Sequence, residues 1–549
     1  MIRSASCLAF LLCFLISPLV APLAAQFDPV AEIVLPSGSS STWIKGVAQM
    51  QGYVYVLASA GDFYVYDARN LSVDGPFRTL NTPISHTTPG GMSLLRRGSA
   101  LYIGGGGAFT VKNVTDPAAP VTVGEVAGGA PSFLTTSDNY LFATGDNYVS
   151  AYSITDPFHP TLLASSTLGG RYGESIARYG NYLYVGTFPT ALRVYSWAGG
   201  ATIDFVREIT LEATPYYLFV NGSHLAGILD SAVVWSLADP TFPLRTTQQP
   251  VAGRLGALWG SKLITNGVVY SWHGPSLEKF SQYTQQETTA GLPVSAACTG
   301  DFVFLPGTSK ITVLATPPTL VFPQYVNGQA GARNSTRLVL RNSGTTKATG
   351  VVRFRNSAGT ANPVPIGGVS KSEVTYSIPA GGTFQITTEG TGALTSGPLE
   401  IRSDVIADLA ITGTEIFDLL GYSVSVQGAP LAKVHRAFVS RTAAEDTGVA
   451  IYNPNFAVPC QVEARLFDNN GAEVAGPVTL ALATRNQRAI FVTDASLFKT
   501  YIASLPGGFE GTMQLNVTAG GPIAVLSLLQ KSNNALLAVP VESETPPGP

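Results

Sequence analysis

The chain is predicted to be all-β: a seven-bladed β-propeller over residues 26–319, then two tandem β-sandwich domains at 320–430 and 431–543. Three observations predict this. A phrase recurs as Val114-Thr115-Asp116-Pro117-Ala118-Ala119-Pro120, Ile154-Thr155-Asp156-Pro157-Phe158-His159-Pro160 and Leu237-Ala238-Asp239-Pro240-Thr241-Phe242-Pro243. Seven short apolar strands recur at a spacing of roughly 40 residues, the signature of an array of blade-sized units. Beyond residue 320 a longer period takes over, with Asn342 answered by Asn453, 111 positions on.

The N-terminus reads as a secretory signal over residues 1–25. Arg3 supplies the positive region, Cys7 to Ile16 the apolar one, and Ala24-Ala25 a small-residue end before Gln26. Pro18 and Pro22 break the stretch, and no other segment has the ~20 apolar residues of a spanning helix. The expectation is therefore a secreted or cell-surface protein without a transmembrane helix after signal removal.

The propeller is built on anchors. Val54, Leu101, Leu141, Leu183, Leu225, Leu263 and Val303 each follow a turn residue in a short apolar strand, with gaps of 47, 40, 42, 42, 38 and 40. A small-residue strand precedes each anchor, suited to the crowded inner wall of a ring, and a third strand follows it. The Asp-Pro phrase then carries the chain to an outermost strand. Asp caps such a turn through its side chain, and Pro fixes φ where no amide is needed. These Asp residues therefore read as turn formers, not as acids or ligands. The seventh copy runs into Pro317-Pro318 where its outer strand should begin, and residues 31–35 form a strand with no blade of its own. Donating that strand to the last blade would close the ring and protect its edges.

The run Tyr152-Ser153-Ile154-Thr155-Asp156-Pro157 with Pro160 resembles the LVIVD repeat of exported bacterial β-propellers. The resemblance spans roughly residues 27–320 and implies a fold more than an activity.

After the propeller, Leu338-Val339-Leu340-Arg341-Asn342 recurs as Val449-Ala450-Ile451-Tyr452-Asn453, and Gly397-Pro398-Leu399-Glu400-Ile401 as Gly511-Thr512-Met513-Gln514-Leu515. Alternating strands joined by Gly, Asn and Ser turns over ~100 residues read as a β-sandwich. Phrases such as Val321-Phe322-Pro323-Gln324 resemble immunoglobulin-like modules appended to exported bacterial proteins. Residues 544–549 are Pro-rich and read as a disordered tail.

The supply of chemistry is thin. With 32 basic and 35 acidic residues the net charge is −3, and there is no basic stripe for nucleic acid. Five scattered histidines and the cysteines left after the signal, Cys298 and Cys460, make no metal-ligand spacing. There is no GxSxG elbow, and Gly104 to Gly107 lacks the Lys-Ser/Thr of a phosphate loop. No catalytic residue, metal or cofactor is assigned. The candidate ligand-binding residues are those on crossings from an outer strand to the next inner strand: His86, Arg171, Tyr172, Glu174, Tyr216 and Arg254. Arg and Tyr together suit recognition of an extracellular glycan, peptide or protein. The leading expectation is thus a non-catalytic binding protein. An extracellular propeller enzyme with accessory sandwiches, marked by paired carboxylates at the channel mouth, and a structural or adhesive surface protein are the alternatives.

Overall fold

A computed structural model describes residues 28–36, 43–59, 61–73, 76–105, 107–129, 131–251, 255–259, 262–282, 294–295, 297–298, 301–307, 309–344, 347–403, 411–419, 421–455 and 459–544. Residues 1–25, expected to be a signal, and residues 545–549 of the expected tail lie outside the described residues. Among those described, no helix is long and apolar enough to cross a membrane.

Residues 28–315 form a ring of antiparallel sheets, a β-propeller with six blades and not the seven expected. All seven anchors lie in strands and are fully buried. The count falls because the third and fourth strand sets make one six-stranded sheet. Its long strand Thr161–Tyr179 pairs through its first half with Tyr140–Ser153 and through its second half with Tyr182–Phe188. Gly169 and Gly170, at φ +62° and +78°, let that strand bend between its two partners. The first and fifth blades touch through Val294–Ser295, which pairs in parallel with both of their inner strands.

The N-terminal strand Asp28–Val34 pairs antiparallel with Lys310–Ala315 of the last blade, Ile33 opposite Ile311. Arg78–Leu80 lies parallel along its other edge. Ala31 and Ile33 turn into the core, while Glu32 faces out to Lys310 Nζ at 3.1 Å and accepts from Thr79 Oγ1 at 3.1 Å. The strand thus covers an edge that would otherwise be open to pairing with another chain.

The Asp-Pro phrases are capped turns. Asp116, Asp156 and Asp239 each accept the backbone N–H two residues on, from Ala118 at 3.1 Å, Phe158 at 2.9 Å and Thr241 at 2.9 Å. They also lock one blade to the next. Buried Tyr55, Tyr102 and Tyr184, from the preceding blade, donate to the carbonyls of Pro117, Pro157 and Pro240 at 3.0, 2.8 and 2.8 Å. A second lock sits nearer the axis, where Ser93 and Ser175 donate to the carbonyls of Pro131 and Pro215 at 3.1 and 2.5 Å. Gly104 and Gly186 pair with those serines, and a Cβ there would strike the serine hydroxyl and the proline carbonyl.

Beyond residue 319 the chain makes an eight-stranded and then a nine-stranded sheet system. They share one strand order. In the first, Ala348–Phe354, Thr395–Ser403, Leu320–Ala330, Ala332–Asn342 and Ile411–Leu419 are neighbours in sequence across the sheet; Cys460–Phe467, Phe509–Ala519, Val434–Arg441, Glu445–Tyr452 and Ala524–Lys531 repeat that order in the second. One apolar core forms around Val352, Phe354 and Ile401 and takes in Ala450, Leu526 and Leu536 of the second unit; another forms around Val462, Leu466 and Met513.

A chain of buried alternating charges joins all three units. Asp301 of the last blade accepts both guanidinium nitrogens of Arg353 at 3.0 Å and lies 3.7 Å from Arg402. Arg402 donates to the Thr316 carbonyl at 2.7 Å and lies 3.7 Å from Glu400. Glu400 meets Arg355 at 2.8 Å and accepts from the Tyr452 hydroxyl of the second module at 2.6 Å. Burial by itself would raise the Glu400 carboxyl, but the guanidiniums of Arg355 and Arg402 outweigh it and hold the group at about 2.

Candidate functional site at the channel mouth

The inner strands of the ring carry an extra residue at their first rung. Pairing steps from Ile44 to Gly46 past Lys45, from Pro131 to Phe133 past Ser132, and from Gly173 to Ser175 past Glu174. Met92 and Tyr216 hold the same place in two more copies. The Met92 N–H donates to the Gly104 carbonyl at 2.5 Å while Ser93 pairs with Gly104. The Tyr216 N–H donates to the Ile228 carbonyl at 2.9 Å while Tyr217 pairs with Ile228. A β-bulge leaves its residue out of the ladder and re-aims the side chain, so these positions are set apart from the walls. Each lies nine residues before the anchor of its copy: Lys45 before Val54, Met92 before Leu101, Ser132 before Leu141, Glu174 before Leu183 and Tyr216 before Leu225. Arg254 stands nine before Leu263, outside the described residues.

The five described positions form one end of the channel. Lys45 is half-buried; burial lowers its ammonium from the ordinary lysine value, and the charge of Glu174, three inner strands away, works against that. Tyr217 is fully buried; burial, and then Glu174, pushes its hydroxyl well above the usual tyrosine value. Phe133 meets the Tyr217 ring edge-on at 6.1 Å, and Tyr217 stacks on Phe219 at 6.1 Å. Aromatic rings of the third and fifth inner strands thus pack together beside the five bulge positions, which bear a cation, an apolar chain, a hydroxyl, an anion and, at Tyr216, a buried phenol.

The expected residues divide. Glu174 and Tyr216 are rim positions, and the Tyr172 hydroxyl hydrogen-bonds Ser132 on the neighbouring inner strand. Arg171 does not join them. Its guanidinium binds the Glu208 carboxylate, with Nε to Oε2 at 3.0 Å, and the Pro189 carbonyl at 2.8 Å, and Arg193 holds the same carboxylate at 2.8 Å. His86 is also elsewhere, on the outermost strand of the first blade, stacked on Tyr64 at 4.7 Å with Nε2 2.9 Å from Asp62. Both are drawn away by carboxylates on outer strands or hairpin turns. Lys45, Met92 and Ser132 were absent from the expected set. No group of three metal-ligating side chains occurs among the described residues.

The two C-terminal modules meet the other end of the ring. Asp301 and Val73 lie in turns at the end where Met50 runs into Tyr53, opposite the bulges, and contact Arg353, Arg402 and Arg485 there. A cavity of about 260 Å³ lined by Gly52, Ala68, Arg69, Asp301, Gly350 and Arg402 marks the seam. The bulge end of the channel is left uncovered by these contacts.

No protein-family model and no curated protein matches the chain. Among solved structures it is similar to the computationally designed Ika8 protein, at 12% identity over 52% of this chain and 99% of that one, TM-score 0.34. It is similar also to BamB from Moraxella catarrhalis, at 12% identity over 50% and 83%, TM-score 0.36. The WD40 β-propeller domain of Doa1 matches at 10% identity over 53% and 97%, TM-score 0.39. The ring described above rests on its own strand pairings.

Proposed function

We propose that this chain is an exported, non-catalytic binding protein that recognises an extracellular peptide, protein or glycan through the bulge end of its propeller. One observation carries the reading. The repeat keeps its structural positions alike, with Val or Leu at every anchor and Tyr against Pro at three blade junctions, yet the five rim positions bear five different residues. A varied rim over a uniform frame is what a scaffold with a grafted site looks like. The modules dock at the opposite end, which supports a recognition face pointing away from them. We read the modules as immunoglobulin-like β-sandwiches that space or attach the propeller, a reading supported by their shared strand order. Export is supported by the apolar N-terminal segment, and the propeller is read as a divergent LVIVD-type array from its Asp-Pro turns. An enzymatic reading would be favoured by a second carboxylate beside Glu174, a place the rim fills with Ser132 and Tyr216.

The test is a thermal-shift screen of the full chain against secreted peptides and glycans, repeated with Lys45→Ala and Glu174→Ala. A hit whose shift disappears in both variants supports the reading. A hit that survives in both, or whose shift follows turnover of the added compound, overturns it.

A further inference from the structure

We infer that the seam between the two C-terminal modules is a binding site for a small uncharged ring compound bearing a hydroxyl group, such as a simple phenol. The site lies in the modules and is independent of the propeller's recognition face. A cavity of about 200 Å³ lies between them, walled by Val326 and Phe417 of the first module and by Ala450 and Leu526 of the second. All four side chains are buried. Packed interiors leave few voids larger than a water molecule, so a hole of this size in a shared core is out of keeping with ordinary packing. Apolar cavities of about 150 Å³ stay dry and take up a benzene ring, so this one has room for a ring with a small substituent. Phe491 forms part of the wall and is 42% exposed, which gives the cavity a side open to solvent.

Polarity selects further. No charged side chain is among the described walls, and an ion entering would lose its hydration with nothing to replace it. A sugar would set many hydroxyls against apolar side chains at a similar cost. Two glutamines do line the cavity, one from each module. Gln324 Oε1 accepts from Gln487 Nε2, so its own N–H donors are left to offer. Gln530 Nε2 donates to Asn534 Oδ1 at 3.4 Å, so its carbonyl oxygen is left to accept. A donor and an acceptor on one apolar cavity fit a hydroxyl, which serves as both. Small-molecule sites are commonly of this make: apolar, between domains, with few polar groups that fix orientation.

The experiment titrates the full chain with p-cresol, toluene and benzoate by calorimetry. p-Cresol is expected to bind saturably and about fivefold more tightly than toluene, the worth of one net hydrogen bond, while benzoate does not bind. Ala450→Leu, which fills the cavity, should abolish binding of both rings, and Gln530→Met should bring p-cresol down to toluene. Hydrogen–deuterium exchange of the parent locates the ligand without any variant: p-cresol should slow exchange in Glu445–Tyr452 and Ala524–Lys531. No saturable binding, p-cresol binding kept by a folded Ala450→Leu chain, or protection confined to the propeller would overturn the site. Benzoate binding as tightly as p-cresol, or a fivefold preference that survives Gln530→Met, would overturn the ligand class.

Discussion

At the scale of residues, the Asp-Pro phrase has two duties divided between neighbours. The aspartate closes its own turn, and the proline carbonyl receives a tyrosine from the blade before. Burial raises the Tyr102 hydroxyl to about 12, so it remains a donor throughout the physiological range. Tyr102→Phe should lower stability by about 1 kcal/mol, the net worth of one such bond, in urea titrations. The turn half of this was legible, because Asp and Pro act locally; the tyrosine half was not, because Tyr102 and Pro157 are 55 residues apart. Glu415 offers a pH test. It is fully buried in Ile411–Leu419, neither carboxyl oxygen has a hydrogen-bond partner among the described residues, and burial raises its pKa well above the ordinary value. The folded chain therefore holds a proton that the unfolded chain releases above its pKa of about 4.3. This group's contribution is fully present below that value and is lost as pH rises towards the raised folded pKa. Glu415→Leu should thus gain on the parent between pH 4 and pH 8 in denaturant midpoints. A stability difference between the two that stays the same from pH 4 to pH 8 would contradict this.

At the scale of elements, strand identity was legible and sheet continuity was not. Anchors, small-residue inner strands and the duplication after residue 320 all follow from period and patterning. The merger of two strand sets depends on the bend at Gly169-Gly170, and nothing in composition separates a bend within a strand from a loop between strands. The rim has a similar history. Charged and aromatic residues occur throughout the crossing segments, so they point to Glu174 and Tyr216 but equally to Arg171 and His86. A bulge is a property of pairing, so its single position was hidden; the nine-residue offset from each anchor was the signal that would have isolated Lys45, Met92 and Ser132. The serine locks make the glycines beside them stringent. Gly186→Ala would overpack the contact with Ser175 and Pro215, and should cost about 1–3 kcal/mol in thermal or chemical unfolding.

At the scale of the whole molecule, the charges from Asp301 through Arg402 and Glu400 to Arg355, with Tyr452, bind the propeller and both modules into one frame. No motif shows this, because its members lie as far apart as residues 301 and 452 and are brought together by the tertiary fold alone. Removing one member of such a buried set leaves charges unanswered, at about 3–5 kcal/mol. Glu400→Gln should therefore split a single calorimetric transition into separate unfolding of propeller and modules, and a variant that melts in one unchanged transition would show the units to be held by other contacts. The central claim concerns the other end of the ring. Hydrogen–deuterium exchange of the full chain, with and without a ligand found by the thermal-shift screen, tests it most directly. Slowed exchange at the first rungs of the inner strands, around Lys45, Met92, Ser132, Glu174 and Tyr216, is the predicted result. Protection confined to the modules or to the Asp-Pro turns would contradict it.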